Sequence, residues 1–249
     1  RLVRPVELGE TRKIADEISY PDFVEYRNQV TSFTGISGED MVQVALDAEN
    51  QTDVIWGQVV SGNYFDIMQV RPFMGRAFFP EEDGAPGAHP VVVVSHSLWQ
   101  RRLAADPAIV GKTLRLNNRQ YQVIGVAPEV FKGSKFALAM DFWVPLAMIE
   151  ELRSTPELLS SRGSHWMNVI GRLRPGISLE QASAEMGAIA SRLNQTYPND
   201  RAAATSAKVL TEVDGRWDDA TPIFKSAAAV ALAIVGLVLL FACANVAHL

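Results

Sequence analysis

The sequence predicts an α+β fold that ends in a C-terminal transmembrane helix. Three observations point there. From Ser226 to Leu249 the chain holds no Asp, Glu, Lys or Arg. Residues 166–213 read as strand, helix and strand. Upstream, short segments alternate apolar and polar residues with the period of two that marks strands, and brief helical pieces separate them.

In chain order, residues 1–18 are charged and without a clear period, so they read as a connector. A helix is predicted from "SYPDFVEYRNQV". Ser19 can cap its free N–H groups, Pro21 is tolerated in the first turn, and Asp22 suits the positive helix end. Phe23, Tyr26 and Val30 share one face. Val42, Val44 and Leu46 then alternate as a strand, "TDVIWGQVV" is a second strand, and 47–51 is the expected turn. A short helix follows from Ser61 to Met68, after which Pro72 and Gly75 break regular structure. "FFPEEDGAPGAHP" reads as a solvated acidic loop.

"VVVVSHSLWQRRL" joins an apolar strand to a short helix started by Ser95 or Ser97. "KTLRLNNRQYQVIGV" predicts a hairpin, because Asn117 and Asn118 can take the positive φ of a tight turn. "DFWVPLAMIEELR" runs from a strand into a short helix, and "SSRGSH" reads as a loop. A strand is expected from Trp166 to Leu173, and a turn at Pro175-Gly176. Ser178 and Gln181 have capping-box spacing. Leu179, Ala182, Met186, Ile189 and Leu193 make a helical stripe that Pro198 ends. "AKVLTEV" is the returning strand.

The final run answers to a membrane by its length. A helix rises ~1.5 Å per residue, so ~20 apolar residues cross the hydrocarbon core. Residues 227–244 come close to that, and their small residues suit packing against other membrane helices. A position at the C-terminal end excludes a secretory signal.

Composition narrows the function. The chain has 249 residues, a net charge of −5 and one cysteine, Cys243, inside the apolar run. The balance argues against a nucleic-acid partner. A lone cysteine excludes an internal disulfide, and no Cys/His zinc spacing occurs. No Gly-rich loop leads into Lys-Ser or Lys-Thr, so ATP is not bound by a phosphate loop. Ser95, His96 and Ser97 follow a strand but lack the flanking glycines of a nucleophile elbow, and helix capping accounts for the serines. His89, His96, His165 and His248 have no i, i+4 pairing. The carboxylates of "PEEDG" lack the ligand spacing of a calcium loop. Trp56, Trp99, Trp143, Trp166 and Trp217 each sit beside an apolar neighbour and read as core. No catalytic, cofactor-binding or metal residue is predicted.

Three longer stretches carry a resemblance. "GRAFFPEEDGAPGAHPVVVVSHSLWQRRLAADPAIVGKTLRLNNRQYQVIGVAPEVF" resembles the periplasmic core domain of MacB-type ABC transporter permeases, in particular the duplicated acidobacterial type. "GRLRPGISLEQASAEM" is similar to a second stretch of that domain. "LLFACANVAHL" resembles the start of an FtsX-like permease domain, with His248 where that string usually carries Asn.

The resemblance implies an extracytoplasmic domain between the first and second of four membrane helices. Residues 1–18 would then be a connector after a first membrane helix outside this sequence. Residues 19–89 and 161–216 would form a porter-like β–α–β core, residues 90–160 an inserted mostly-β subdomain, and residues 221–249 the second membrane helix. The chain is accordingly expected to be a segment of a longer protein. The implied partners are the membrane, a cytoplasmic ABC ATPase, a second permease copy or internal duplicate, and a periplasmic adaptor. The implied role is mechanical: ATP-driven motion crosses the bacterial inner membrane to export or extract a substrate on the outer side. The alternative is a membrane-tethered extracytoplasmic binding or sensor module.

Overall fold

A computed structural model describes residues 1–9, 17–48, 51–135, 138–201, 206–215 and 229–236. The chain divides into two units, Arg1–Leu210 and Thr211–Leu249.

The first unit is organised by one sheet. Its strands are β1 (Leu2–Leu8), β2 (Phe33–Ala48), β3 (Gln51–Val60), β4 (Met74–Gly75), β5 (Val91–Val94), β6 (Thr113–Leu116), β7 (Arg119–Val126), β8 (Phe142–Pro145), β9 (Asn168–Leu173) and β10 (Ser206–Thr211). The helices are α1 (Tyr20–Gln29), α2 (Tyr64–Met68), α3 (His96–Arg102), α4 (Ile149–Arg153) and α5 (Leu179–Thr196). Among the described residues the strand order is β10-β1-β9-β2-β3-β8-β5-β7-β4, with β6 bridging β2 and β7.

Four strands at one end explain the topology. β1–α1–β2 and β9–α5–β10 interleave, so that β9 lies between β1 and β2, and β1 between β9 and β10. This is the split βαβ arrangement of ferredoxin-like folds. β9 runs antiparallel to both neighbours, with Val3 opposite Gly171 and Ser37 opposite Ile170. Everything between β2 and β9 in sequence builds the other end of the sheet, where β3 pairs parallel with β8 and β5 parallel with β7.

Both faces of the sheet are covered. On one, α1 and α5 bury Phe23, Tyr26, Met186, Ile189 and Leu193 with Val3, Phe33 and Val209. On the other, Phe65, Phe131 and Trp143 pack together, with the Phe131 and Trp143 rings stacked at 5.1 Å. Local signals act as the sequence predicts. Ser19 Oγ accepts from Asp22 N, Ser95 Oγ from Leu98 N, and Ser178 with Gln181 closes a capping box. Asn117 and Asn118 take φ of 46° and 65° at the β6–β7 turn. Within the expected 47–51 turn, residues 47, 48 and 51 belong to the paired strands β2 and β3, and residues 49–50 lie outside the described residues.

One expectation is corrected. The segment read as a connector begins with β1, an inner strand of the sheet whose residues 3–7 are all buried. Arg4, Pro5 and Glu7 hide the strand period, because charged residues here point inward to partners far away in sequence. Residues 10–16 of that segment lie outside the described residues.

The second unit contains a helical stretch at residues 229–236. Val230, Leu232, Ile234 and Val235 on it are more than half exposed. No helix among the described residues is long and apolar enough to cross a membrane. The rest of the predicted 221–249 helix, with Cys243 and His248, lies outside the described residues, as does Trp217.

Candidate functional site

The motif-rich segment after Gly75 forms a clasp between β4 and the rest of the sheet. Gly75 and Gly125 face each other across β4 and β7. Arg76 N donates to Ile124 O at 2.9 Å, and Phe73 N to Val126 O at 2.7 Å. The Arg76 guanidinium lies over the Phe79 ring at 4.1 Å and grips both oxygens of Glu82, at 2.7 and 2.8 Å. Burial pushes the Glu82 carboxyl up, but Arg76 and the Phe79 N–H outweigh it and hold it below its usual range.

Asp83 is turned fully inward. Its Oδ1 accepts from Ala147 N at 3.0 Å and its Oδ2 from Gly62 N at 3.4 Å. The expected solvated loop is therefore corrected. A 3-10 turn at Pro80–Asp83 leaves Glu81 exposed and buries Glu82 and Asp83 against donors.

A second cluster ties together elements that lie far apart in sequence. Arg201, 2% exposed, follows α5 and reaches back to the start of the chain. Its Nη2 donates to Glu7 Oε1 at 2.7 Å, its Nη1 to Asp22 Oδ2, and its Nε to Asn194 Oδ1 at 2.8 Å. Tyr26 Oη donates to Glu7 Oε1 at 2.8 Å, and burial raises the phenol above its ordinary range. Arg162, from the loop before β9, binds the other oxygen of Asp22, lies 3.6 Å from Glu25, and stacks over Tyr197. His165 Nε2 faces Glu7 Oε2 at 3.6 Å.

Glu7, Asp22 and His165 thus converge, each offering an atom within 4.8 Å of the others. Arg201 occupies both carboxylates, and a divalent cation there would sit against two guanidinium groups. The arrangement is an ion-pair clamp joining β1, α1, the approach to β9 and the exit of α5. Sequence reading assigned Asp22 to the helix end and missed the clamp, because its members are up to 194 positions apart.

A third polar group lies within the sheet. Glu39 is fully buried between Arg4, at 3.5 Å, and Lys135, at 3.7 Å. Ser134 donates to Glu39, Gln58 Nε2 to Ser134 Oγ at 2.9 Å, and Trp143 Nε1 to Gln58 Oε1 at 3.0 Å. These bonds fasten the segment before β8 to the sheet. The remaining residues weighed from sequence have structural surroundings. His96 packs against the Phe73 and Trp99 rings, and Ser97 Oγ accepts from Arg101 Nε. Trp143, Trp166 and Trp99 are buried.

The family model of the MacB-like periplasmic core domain matches residues 3–189, a range that includes the Gly75–Asp83 clasp. The chain belongs to the MacB-like periplasmic core domain family. The periplasmic region of MacB from Actinobacillus actinomycetemcomitans superposes with a TM-score of 0.60 at 13% identity, covering 90% of this chain and 92% of that one. The extracellular domain of the noncanonic ABC-type transporter YknZ from Gram-positive bacteria gives 0.60 at 13%, covering 85% and 100%. A domain described as that of a permease protein from Porphyromonas gingivalis gives 0.61 at 16%, covering 85% and 90%. No curated protein matches.

Two buried carboxyls give this MacB-like domain a defined response to acid. Burial pushes Asp83 up to about 6 against its N–H donors, and pushes Asp40 up to about 6 against the opposing Arg153. Both folded values exceed the unfolded value of about 3.9, so the folded state binds these protons more tightly. The stabilisation is fully present below the unfolded value and is lost as pH rises through about 6. The urea midpoint is therefore expected to rise between pH 7.5 and pH 5. Asp83→Asn should flatten that rise; a wild-type midpoint that falls over the interval would contradict the assignment.

Proposed function

We propose that this chain is the extracytoplasmic core domain and second membrane helix of an ABC-type permease in the bacterial inner membrane. Its role is to pass ATP-driven motion from a cytoplasmic ATPase to the outer side, where a substrate is exported or extracted. Family membership carries the reading: the match covers residues 3–189, and the similar solved structures include domains of an ABC-type transporter and of a permease protein. The buried groups described above are engaged in packing and ion pairing, which suits a mechanical part that performs no chemistry of its own. We further propose the membrane, the ATPase, a second permease copy or internal duplicate, and a periplasmic adaptor as partners.

We also propose the division into a porter-like core of residues 19–89 and 161–216 and an inserted mostly-β subdomain of residues 90–160. The adjacency of β10, β1, β9 and β2 supports the first, and the mutual pairing of β5, β7 and β8 supports the second. Residues 221–249 are proposed as the second membrane helix, supported by the apolar, exposed character of residues 229–236.

Motion can pass only through connections without slack. β1 and β10 are neighbours in the sheet, and the Arg201 clamp ties both ends of the first unit together. A flexible Gly/Ser stretch inserted between Gly215 and Pro222 of the full-length transporter is expected to leave ATP hydrolysis intact and to abolish export. ATPase rate and substrate export are measured in the same reconstituted preparation. Undiminished export would favour a passively tethered binding module instead.

A further inference from the structure

Counted over the described residues, the clamp around Arg201 is one positive charge short. Among the described residues it gathers three carboxylates, Glu7 from β1 with Asp22 and Glu25 from α1. Against them stand two guanidinium groups, Arg201 after α5 and Arg162 before β9. Tyr26 from α1, and Asn194 and Tyr197 at the end of α5, complete the surroundings without adding charge. With a neutral imidazole the cluster sums to −1.

The deficit has an address. Glu7 Oε2 and His165 Nε2 are buried, face each other at 3.6 Å, and have no hydrogen-bond partner among the described residues. Among the described residues, the other polar contacts of Glu7 use Oε1. An unpartnered buried carboxylate oxygen is costly, and a charged donor is the group that relieves it best. His165 supplies such a donor once protonated, and histidine is the side chain that ordinarily changes charge between pH 5 and 8.

We propose that the clamp binds one proton between His165 and Glu7, and that this proton tightens the joint between β1, α1 and the chain following α5. No bond is broken: the proton comes from water, adds to the imidazole, and His165 Nε2–H donates to Glu7 Oε2. The cluster then sums to zero. Acid on the side where the domain lies would stiffen the place where its two ends meet. This inference does not depend on the transport reading.

Amide hydrogen exchange of the full 249-residue chain in detergent micelles tests it, with rates at pH 8 and pH 6 divided by the intrinsic rate at each pH. Protection of β1 and of the segment around Arg201 should rise about tenfold on acidification, the scale of one charge-assisted hydrogen bond. His165→Gln should remove that increment in these segments while leaving the general rise from Asp83 and Asp40 in place. His165→Lys, which keeps its positive charge at both pH values, should hold the segments protected throughout. An equal pH response in wild type and His165→Gln would overturn the proposal. So would a wild-type clamp that is unchanged or loosened by acid, a result that needs no variant to fold.

Discussion

Arg201→Ala should lower folding stability by about 3–5 kcal/mol, the cost of leaving buried charge unpaired. The side chain is 2% exposed and serves three acceptors on Glu7, Asp22 and Asn194. Among the described residues, truncation leaves the Glu7 carboxylate with only Tyr26 as a hydrogen-bond donor, and takes from Asp22 one of its two guanidinium partners. Lysine cannot substitute, because its point charge lacks the planar fork that spans two carboxylates. Arg201→Lys should recover less than half of the loss. Pairing Arg201→Met with Glu7→Gln should cost less than Arg201→Ala alone, since the added carboxyl change removes part of the uncompensated charge. Urea unfolding of the four proteins at one pH decides the matter. A loss below about 1 kcal/mol for Arg201→Ala would place this network among ordinary surface ion pairs.

The clamp also shows why some of the fold can be read from sequence and some cannot. Ser19, Ser95, Ser178 and Asn117-Asn118 were legible because capping and turn formation are decided within three or four residues. The stripe on α5 was legible because one face of one helix meets one core. β1 was not, because Arg4 and Glu7 break its apolar pattern and find their partners at residues 39 and 201. A buried charge is recognisable only together with its counter-charge, and no local window holds both. The "PEED" segment misled for the same reason. Three successive acids look solvated until the donors of residues 62, 76 and 147 are brought to two of them. The family resemblance was legible through glycines and acids whose purpose only the β4–β7 contact reveals.

That contact yields the second large effect. Gly125→Ala is expected to destabilise the first unit by about 3 kcal/mol, the upper end of overpacking costs. A Cβ on Gly125 would stand 2.4 Å from Arg76 O and 3.1 Å from Met74 O, both backbone atoms that cannot swing aside. β4 is only two residues long, so any displacement breaks its pairing with β7. Arg76 would then lose its bond to Ile124, and the grip on Glu82 that closes the 80–83 turn would move with it. Phe78, 5% exposed and packed with Phe65, sits in the same short segment and would be drawn from the second core. Gly176→Ala is the matching control. Gly176, unlike Gly125, has a positive φ, of 83°, and nothing lies within 4 Å of its added Cβ. Its cost is backbone strain alone, about 1 kcal/mol. Chemical denaturation of both variants separates steric exclusion from strain. Equal losses at Gly125 and Gly176 would mean that β4 yields freely, and that the clasp contributes little to holding the far end of the sheet together.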